Sequence, residues 1–371
     1  RERIRIVNNA TTSYTNEQVK LDIPYDTEMK TNFDDIRFTD SSGTTSIPFW
    51  TESYLTSATA TVWVKVPTLP GSGTADIFMY FGNAGASYAG VGTSTFAFFD
   101  DFEDANLSEY TGNTTNFAND ATFNYERTYG LAASAGNTGV QNASGIGQAS
   151  AGVGRDTTFR FFQYIDMASG GSDEPCFLFG IQPPITAHQN YGVCLSPFGA
   201  DHVVVAKNVQ WNGRAASDGS TLLVSKAVTY TTGWYQVSVD WISTNNQINV
   251  NVYDNTGSLF ATATTTDATW TSGGVGFTFW GMHGGWDIPS ARTYNYLAPS
   301  YSIFTKQADS GATWAAAENT YLPNYAQNQN IRLRFSVRNS SLAPLSENLR
   351  LQYAAKLASP NCESVPTGNY A

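Results

Sequence analysis

The sequence predicts an all-β chain: a β-sandwich, then a larger two-sheet jelly roll, then a short C-terminal β segment. Three observations predict it. Apolar and polar residues alternate through most of the 371 residues, while helical periodicity is nearly absent. Turn-forming clusters interrupt the alternation at short intervals. Charged residues are only 14 %, below the roughly 25 % of an average globular chain, whereas aromatics reach 14 %. With Ser and Thr at about a fifth of the residues, this describes a hydroxyl- and amide-covered surface over an aromatic core, not a disordered chain.

The elements follow in order. Arg1-Glu2-Arg3-Ile4-Arg5-Ile6 opens in a strand pattern, with Ile4 and Ile6 on one face. Val19, Leu21, Ile23 and Tyr25 alternate next, then Ile36 and Phe38, then Ala60, Val62, Val64 and Val66. Asp76 to Phe81 reads as a further strand, and Asp40-Ser41-Ser42-Gly43 and Pro70-Gly71-Ser72-Gly73 read as turns. About six short strands in this span suit a sandwich, expected over residues 1–95. From 96 to 305 the strands lengthen: 157–165, 176–181, 191–195, 203–207, 234–242, 248–253, 259–264 and 275–280. Asp254-Asn255-Thr256-Gly257 is a hairpin signal between two of them. About ten strands over this length predict a two-sheet jelly roll. The remaining 306–371 show one possible helical turn within 311–322 and two clear strands, 331–338 and 349–355, too few for an independent sandwich.

Charge and hydropathy exclude two classes. The net charge is −11 and Lys occurs seven times, which argues against nucleic acid as a partner. No apolar run approaches the ~18 residues of a membrane span. The chain starts at Arg1 without an initiating Met, as expected of a mature product or an excerpt.

Four segments carry a family likeness: Asp34-Asp35-Ile36-Arg37-Phe38, Pro48-Phe49-Trp50, Val62-Trp63-Val64-Lys65-Val66-Pro67 and Met79-Tyr80-Phe81-Gly82-Asn83. Residues 1–95 thereby resemble the domain-of-unknown-function family 2341, a β-rich module of bacterial and archaeal surface and secreted proteins. Phe98-Phe99-Asp100-Asp101-Phe102 and Gly273-Gly274-Val275-Gly276-Phe277 resemble a concanavalin-like (laminin-G-like) jelly roll. The likeness implies an extracellular or cell-surface protein; a function carried over from the fold is analogy.

Catalytic constellations are missing from the sequence. Glycosidases of this fold use a Glu-x-Asp-x-x-Glu strand, which does not occur, and His188, His202 and His283 stand apart from one another. No enzyme activity is therefore expected. The densest acidic run is Asp100, Asp101, Glu103 and Asp104. Jelly rolls of the resembled kind often tie their first strand to their last with calcium, which implies a site at Asp101 and Glu103 with Asp287 and Asn295; the alternative is a solvated acidic turn. Trp211, Trp270, Trp280 and Trp286 are candidate sugar platforms, Trp211 and Trp286 foremost, against the plainer reading of Trp as core.

The leading functional reading is a structural or adhesive cell-surface protein, a subunit of a filament or surface assembly, partnered by itself or by a neighbouring surface protein. The second is a carbohydrate-binding, lectin-like module, and the third a glycoside hydrolase. Cys176 and Cys194 flank a loop centred on residue 185, so a regular hairpin sets them opposite each other for a disulfide; two buried thiols are the alternative. Cys362 is then the odd cysteine. With the N-terminal strand at Arg3, Ile4 and Ile6 or the tail after Ala358 as donor, and Phe335 and Leu351 on an incomplete C-terminal sheet, it suggests terminal segments engaged by a neighbouring chain; the alternative is an excerpt whose half-domain leans on its own jelly roll, with the partner of Cys362 further along.

Overall fold

The computed structural model describes residues 1–125, 127–134, 143–167, 174–196, 201–210, 219–280, 285–293 and 301–302. Arg1–Ala312 form one compact unit; the other, Thr313–Ala371, lies outside the described residues. All of the tail calls fall there, including the 331–338 and 349–355 strands, Phe335, Leu351 and Cys362.

The first sandwich is built from β1 (Glu2–Val7), β2 (Tyr14–Pro24), β3 (Arg37–Thr39), β4 (Phe49–Leu55), β5 (Thr59–Leu69) and β6 (Thr74–Tyr80). Alternation decides the inward face: Ile4 and Ile6, Val19 and Leu21, Val62 and Val64, Ile77 and Met79 are all at most 2 % exposed and form one core. Each such side chain contributes about 1.5–3 kcal/mol by leaving water. The sheets run β2-β5-β4 and, counting the short β22 (Tyr301–Ser302), β22-β1-β6-β3. β1 therefore sits between two strands of its own chain. Ile4 and Ile6 are in its own core, and Arg3 and Arg5 reach Asp76 at 2.6 and 2.9 Å. The strand expected as a donor is thus held within its own chain, paired to β6 over all of Glu2–Val7 and to β22 at Arg5 and Ile6.

β4 broke the alternation. Phe49 faces the core, while Trp50 and Glu52 on the other face are also buried, 2 % and 7 % exposed, because the jelly roll covers them. A strand wetted on neither face shows no period of two.

The jelly roll contains β7 (Phe98–Phe99), β8 (Thr111–Gly112), β9 (Phe117–Asp120), β10 (Gly130–Ala133), β11 (Ala143–Gly154), β12 (Thr157–Ile165), β13 (Cys176–Ile181), β14 (Tyr191–Ser196), β15 (His202–Lys207), β16 (Thr221–Ala227), β17 (Gly233–Trp241), β18 (Gln247–Tyr253), β19 (Leu259–Thr266), β20 (Ser272–Trp280) and β21 (Gly285–Thr293). One sheet is eight-stranded, β19-β18-β17-β12-β21-β10-β9 with β7 on β21; the facing sheet is seven-stranded, β16-β15-β14-β13-β20-β11-β8. Between them lies an aromatic core that includes Phe159, Phe161, Phe177, Phe179, Phe277, Trp241 and Trp286. The predicted Asp254 turn caps itself: its carboxylate accepts from the N–H groups of Thr256 and Ser258 at 2.9 and 3.0 Å, and Gly257 takes φ 79°. Glycine is needed where β13 bulges against β20. Gly180 has φ 63°, and a Cβ on Gly273 would lie 2.3 Å from the Gly180 carbonyl carbon.

Candidate functional site

The jelly roll has two outward sheet faces, and their chemistry differs. On the seven-stranded sheet the outward residues are Cys176, Leu178, Cys194, Val204 and Ala206, grouped with Ile181 and Val209 in a second apolar cluster at most 4 % exposed. Cys176 and Cys194 are register partners of β13 and β14, Cα atoms 4.1 Å apart, and form a disulfide with S–S 2.01 Å. The middle of this face is shielded from solvent, while its edge strand β16 is exposed.

The eight-stranded sheet is open. Its register builds cross-strand rows on the outer face. Thr158, Asp240, Asn249 and Thr264 form one row; Arg160, Ser238, Asn251 and Thr262 form the next. Asp287, Phe162, Gln236, Tyr253 and Leu259 follow, then Tyr164 with Trp234. Thr158 donates to Asp240 at 2.8 Å and Thr262 to Asn251 at 3.0 Å. The outward residues of β12 are covered, Thr158 and Phe162 at 1 % and 3 % exposed, so at ~4.8 Å per strand the three strands β17, β18 and β19 offer a surface roughly 10 Å wide. Asp240 is the one charged residue that β17, β18 and β19 turn to this face, and Arg292 of β21 extends its row beyond Thr158.

One end of this face is aromatic, because the β9–β10 connection folds over it. Tyr125 lies on Phe162 with centroids 3.7 Å apart and planes 10° from parallel. Phe162 is 3 % exposed and Tyr125 40 %, so the Tyr125 ring is stacked on a buried partner while the residue stays in reach of solvent. Trp234 stands edge-on to Tyr125 at 5.8 Å and to Tyr164 at 5.4 Å; Phe123 flanks Tyr164 at 5.4 Å.

The connection is held at every turn. Asp120 caps it through the Phe123 N–H at 3.3 Å. The Tyr125 N–H donates to the buried Asp287 carboxylate at 2.7 Å, and Glu103 Oε1 accepts from the Thr128 and Tyr129 N–H groups at 2.8 Å. Arg127, at φ 66°, reaches across to the first sandwich. It donates to the Thr51 carbonyl at 2.8 Å, meets Asp101 at 3.2 Å and lies 5.2 Å from the Trp50 ring centre. A non-glycine residue in the left-handed region persists only where its surroundings over-determine it.

Beside this platform runs the seam between the two sandwiches. Trp50, Trp63, Phe96 and Phe162 form its apolar cluster. Glu52 Oε2 is 2.7 Å from Arg160 Nη1 and accepts from Trp63 Nε1 at 2.6 Å, while Arg160 also donates to Gln236 at 2.8 Å. Burial opposes the Glu52 charge, yet the Arg160 charge and hydrogen bond, Lys20 and the Trp63 N–H outweigh it and hold the carboxyl below its ordinary range.

At one end of the jelly roll Asp267 accepts from Tyr191 at 2.7 Å and meets Lys207 at 2.7 Å. Burial and the Asp267 contact push the Tyr191 hydroxyl up to about 12. Asp267 is held low, its hydrogen bonds from Lys207, Thr269 and Tyr191 exceeding the burial that opposes them.

The predicted sites divide. The implied calcium ligands do not converge: Asp101 faces Arg127, Glu103 binds two backbone N–H groups, and Asp287 binds Tyr125 N. Among the described residues no group of three or more His, Cys, Asp or Glu is placed to hold a metal; Asn295 lies outside them. These carboxylates instead tether the loop under Tyr125. Trp286 is corrected: it is 0 % exposed and donates to Gln163 at 3.2 Å inside the core. Its Gly-rich surroundings resemble a loop, but β21 is an interior strand. Trp211 lies outside the described residues, and Trp270 and Trp280 are part-buried. Tyr125 was missed. The available signal was three aromatics, Phe123, Tyr125 and Tyr129, in a turn between short strands, where polar residues are the rule.

Comparison with known proteins adds the following. Residues 32–115 match the model of a family described as Domain of unknown function (DUF2341), a span that runs past the first sandwich into the start of the jelly roll. No curated protein matches the chain. Solved structures similar to it include the carbohydrate-binding module CBM66 from Bacillus subtilis, 13 % identical with TM-score 0.34, covering 51 % of this chain and 94 % of that one. Lectin II from Ulex europaeus is 12 % identical with TM-score 0.33, covering 53 % and 97 %. The VIP36 exoplasmic/lumenal domain in its Ca2+/Man3GlcNAc-bound form is 11 % identical with TM-score 0.33, covering 58 % and 94 %.

Proposed function

We propose that this chain is an extracellular, non-catalytic carbohydrate-binding protein that holds a neutral glycan against the open face of its eight-stranded sheet. The observation that carries the reading is the Tyr125 ring, stacked on the buried Phe162 at 3.7 Å in a residue that is 40 % exposed. An aromatic face backed by a rigid partner suits the C–H face of a sugar ring, and its position is set before a ligand arrives. Beyond it, Gln236, Ser238, Asn251 and Tyr253 offer amide and hydroxyl groups that donate and accept, as sugar hydroxyls require. A nearly uncharged face on a chain of net charge −11 favours a neutral ligand over an acidic one. A single carboxylate on these three strands, Asp240, is not the pair that glycoside hydrolysis uses. The Cys176–Cys194 disulfide accords with an oxidising compartment.

The test is a panel of neutral and acidic polysaccharides, read by affinity electrophoresis and calorimetry. The expected result is binding to a neutral glycan, weakened about tenfold by Tyr125→Ala, or roughly 1.4 kcal/mol. Binding by none of the panel, or binding unchanged in Tyr125→Ala, overturns the reading.

A further inference from the structure

The eight-stranded sheet ends in β19, which is bonded to β18 on one side; among the described residues no strand lies on the other. Outer strands expose unpaired N–H and C=O groups, and proteins shield them with charge, proline, bulges or brevity. β19 is eight residues long, Leu-Phe-Ala-Thr-Ala-Thr-Thr-Thr, with no charge and no proline, and its single irregularity is at the Leu259 end. Leu259 is 60 % exposed, and Leu222, on the outer strand β16 that packs beside β19, is 49 % exposed.

We propose that β19 pairs antiparallel with β19 of a second copy of this chain, about a two-fold axis at Ala263. Ala261 and Ala263 face the core while Thr262 and Thr264 face solvent. Only a register that keeps those faces matched is allowed. With the axis at Ala263, Thr262 stands opposite Thr264 twice on the solvent face, and Ala263 opposite Ala263 on the core face. Thr–Thr pairs are favourable across strands, and no charge faces a like charge. That is why the occupant is a second copy: two molecules of net charge −11 repel except along a neutral, self-complementary strip. Leu259, at the end of the strip on the solvent face, adds apolar area that a strand contact alone lacks. The pairing does not depend on the glycan reading. It would place two open faces on the same side of one continuous sheet.

The experiment is sedimentation equilibrium of the full chain carrying Cys362→Ser, which removes covalent pairing through that residue. A reversible dimer is expected. Thr262→Glu with Thr264→Glu, both at exposed positions, sets carboxylate against carboxylate and should weaken it at least about tenfold. Thr262→Glu with Thr264→Lys sets opposite charges together and should retain it. A second readout needs no variant: exchange of the β19 amides should slow as the parent is concentrated. A parent that stays monomeric, a Glu/Glu form that dimerises as the parent does, or β19 exchange independent of concentration overturns the proposal.

Discussion

Glu52 of the first sandwich and Arg160 of the jelly roll, 108 residues apart in sequence, meet at 2.7 Å with side chains only 7 % and 13 % exposed. Each neutralises a charge that the other's sheet would otherwise bury unpaired. Trp63, Gln236 and the Trp50–Phe96–Phe162 cluster close around them. The seam is a small core of its own, so the two sandwiches are expected to unfold together.

Glu52→Ala leaves the Arg160 guanidinium buried without its carboxylate. The expected loss is about 3–5 kcal/mol. In urea denaturation a single cooperative transition should become two, the first sandwich melting ahead of the jelly roll. Replacing both residues, Glu52→Leu with Arg160→Met, should recover most of the loss; urea titration of the double variant checks this.

Acid should weaken the same contact. The Glu52 carboxyl is held below its ordinary range, so its contribution is complete above the unfolded value of about 4.3 and disappears as pH falls through the lower folded value. The stability difference between the parent and Glu52→Gln should therefore shrink below about pH 4. Asp100 acts in the opposite sense. Burial raises it despite hydrogen bonds from Phe102 and Tyr110, with Glu109 adding to the rise; its contribution is largest in acid and is lost as pH rises through its folded value. Thermal melts of both proteins from pH 3 to pH 7 resolve the two trends.

Arg127→Ala should weaken glycan binding without touching the ligand-facing ring. It removes the bond to the Thr51 carbonyl, the Asp101 contact and the stacking over Trp50, so the loop beneath Tyr125 loses its anchor on the first sandwich. Calorimetry should show a lower affinity with a larger entropic penalty, because ordering the loop becomes part of binding.

Cys176→Ser with Cys194→Ser opens a loop of 18 residues. A loss of about 2–4 kcal/mol is expected by chain entropy, measured by denaturant titration of the variant against the oxidised parent. Affinity for the glycan should be unchanged, because the bond lies on the outer face of the other sheet.

How much of this was legible depended on which faces water reaches. β17 and β18 read cleanly because one face of each is core and the other is solvated: Val237, Val239 and Trp241 alternate with Gln236, Ser238 and Asp240. The Cys176–Cys194 register could be drawn because β13 and β14 pair without a slip from Cys176–Cys194 to Phe179–Tyr191. β4 could not be read, since the jelly roll removes its polar face, and neither could β11, whose Ala-Ser-Gly-Ile-Gly-Gln lacks the side chains that make a pattern. Tyr125 escaped for a different reason. Its role comes from a stack on Phe162 and a hydrogen bond to Asp287, 162 residues away, and no local period encodes such a contact.

The Tyr125 platform is a plane and not a socket, and this bears on which part of a polymer it can read. A socket grips the last unit of a chain and senses whether that end is free. A flat strip roughly 10 Å wide, bordered by the seam and open at the β19 side, has no wall to cap the end of a polymer. The expected selectivity is therefore for internal stretches: long chains held in proportion to their length, short oligomers held poorly, and blocking the reducing end without effect.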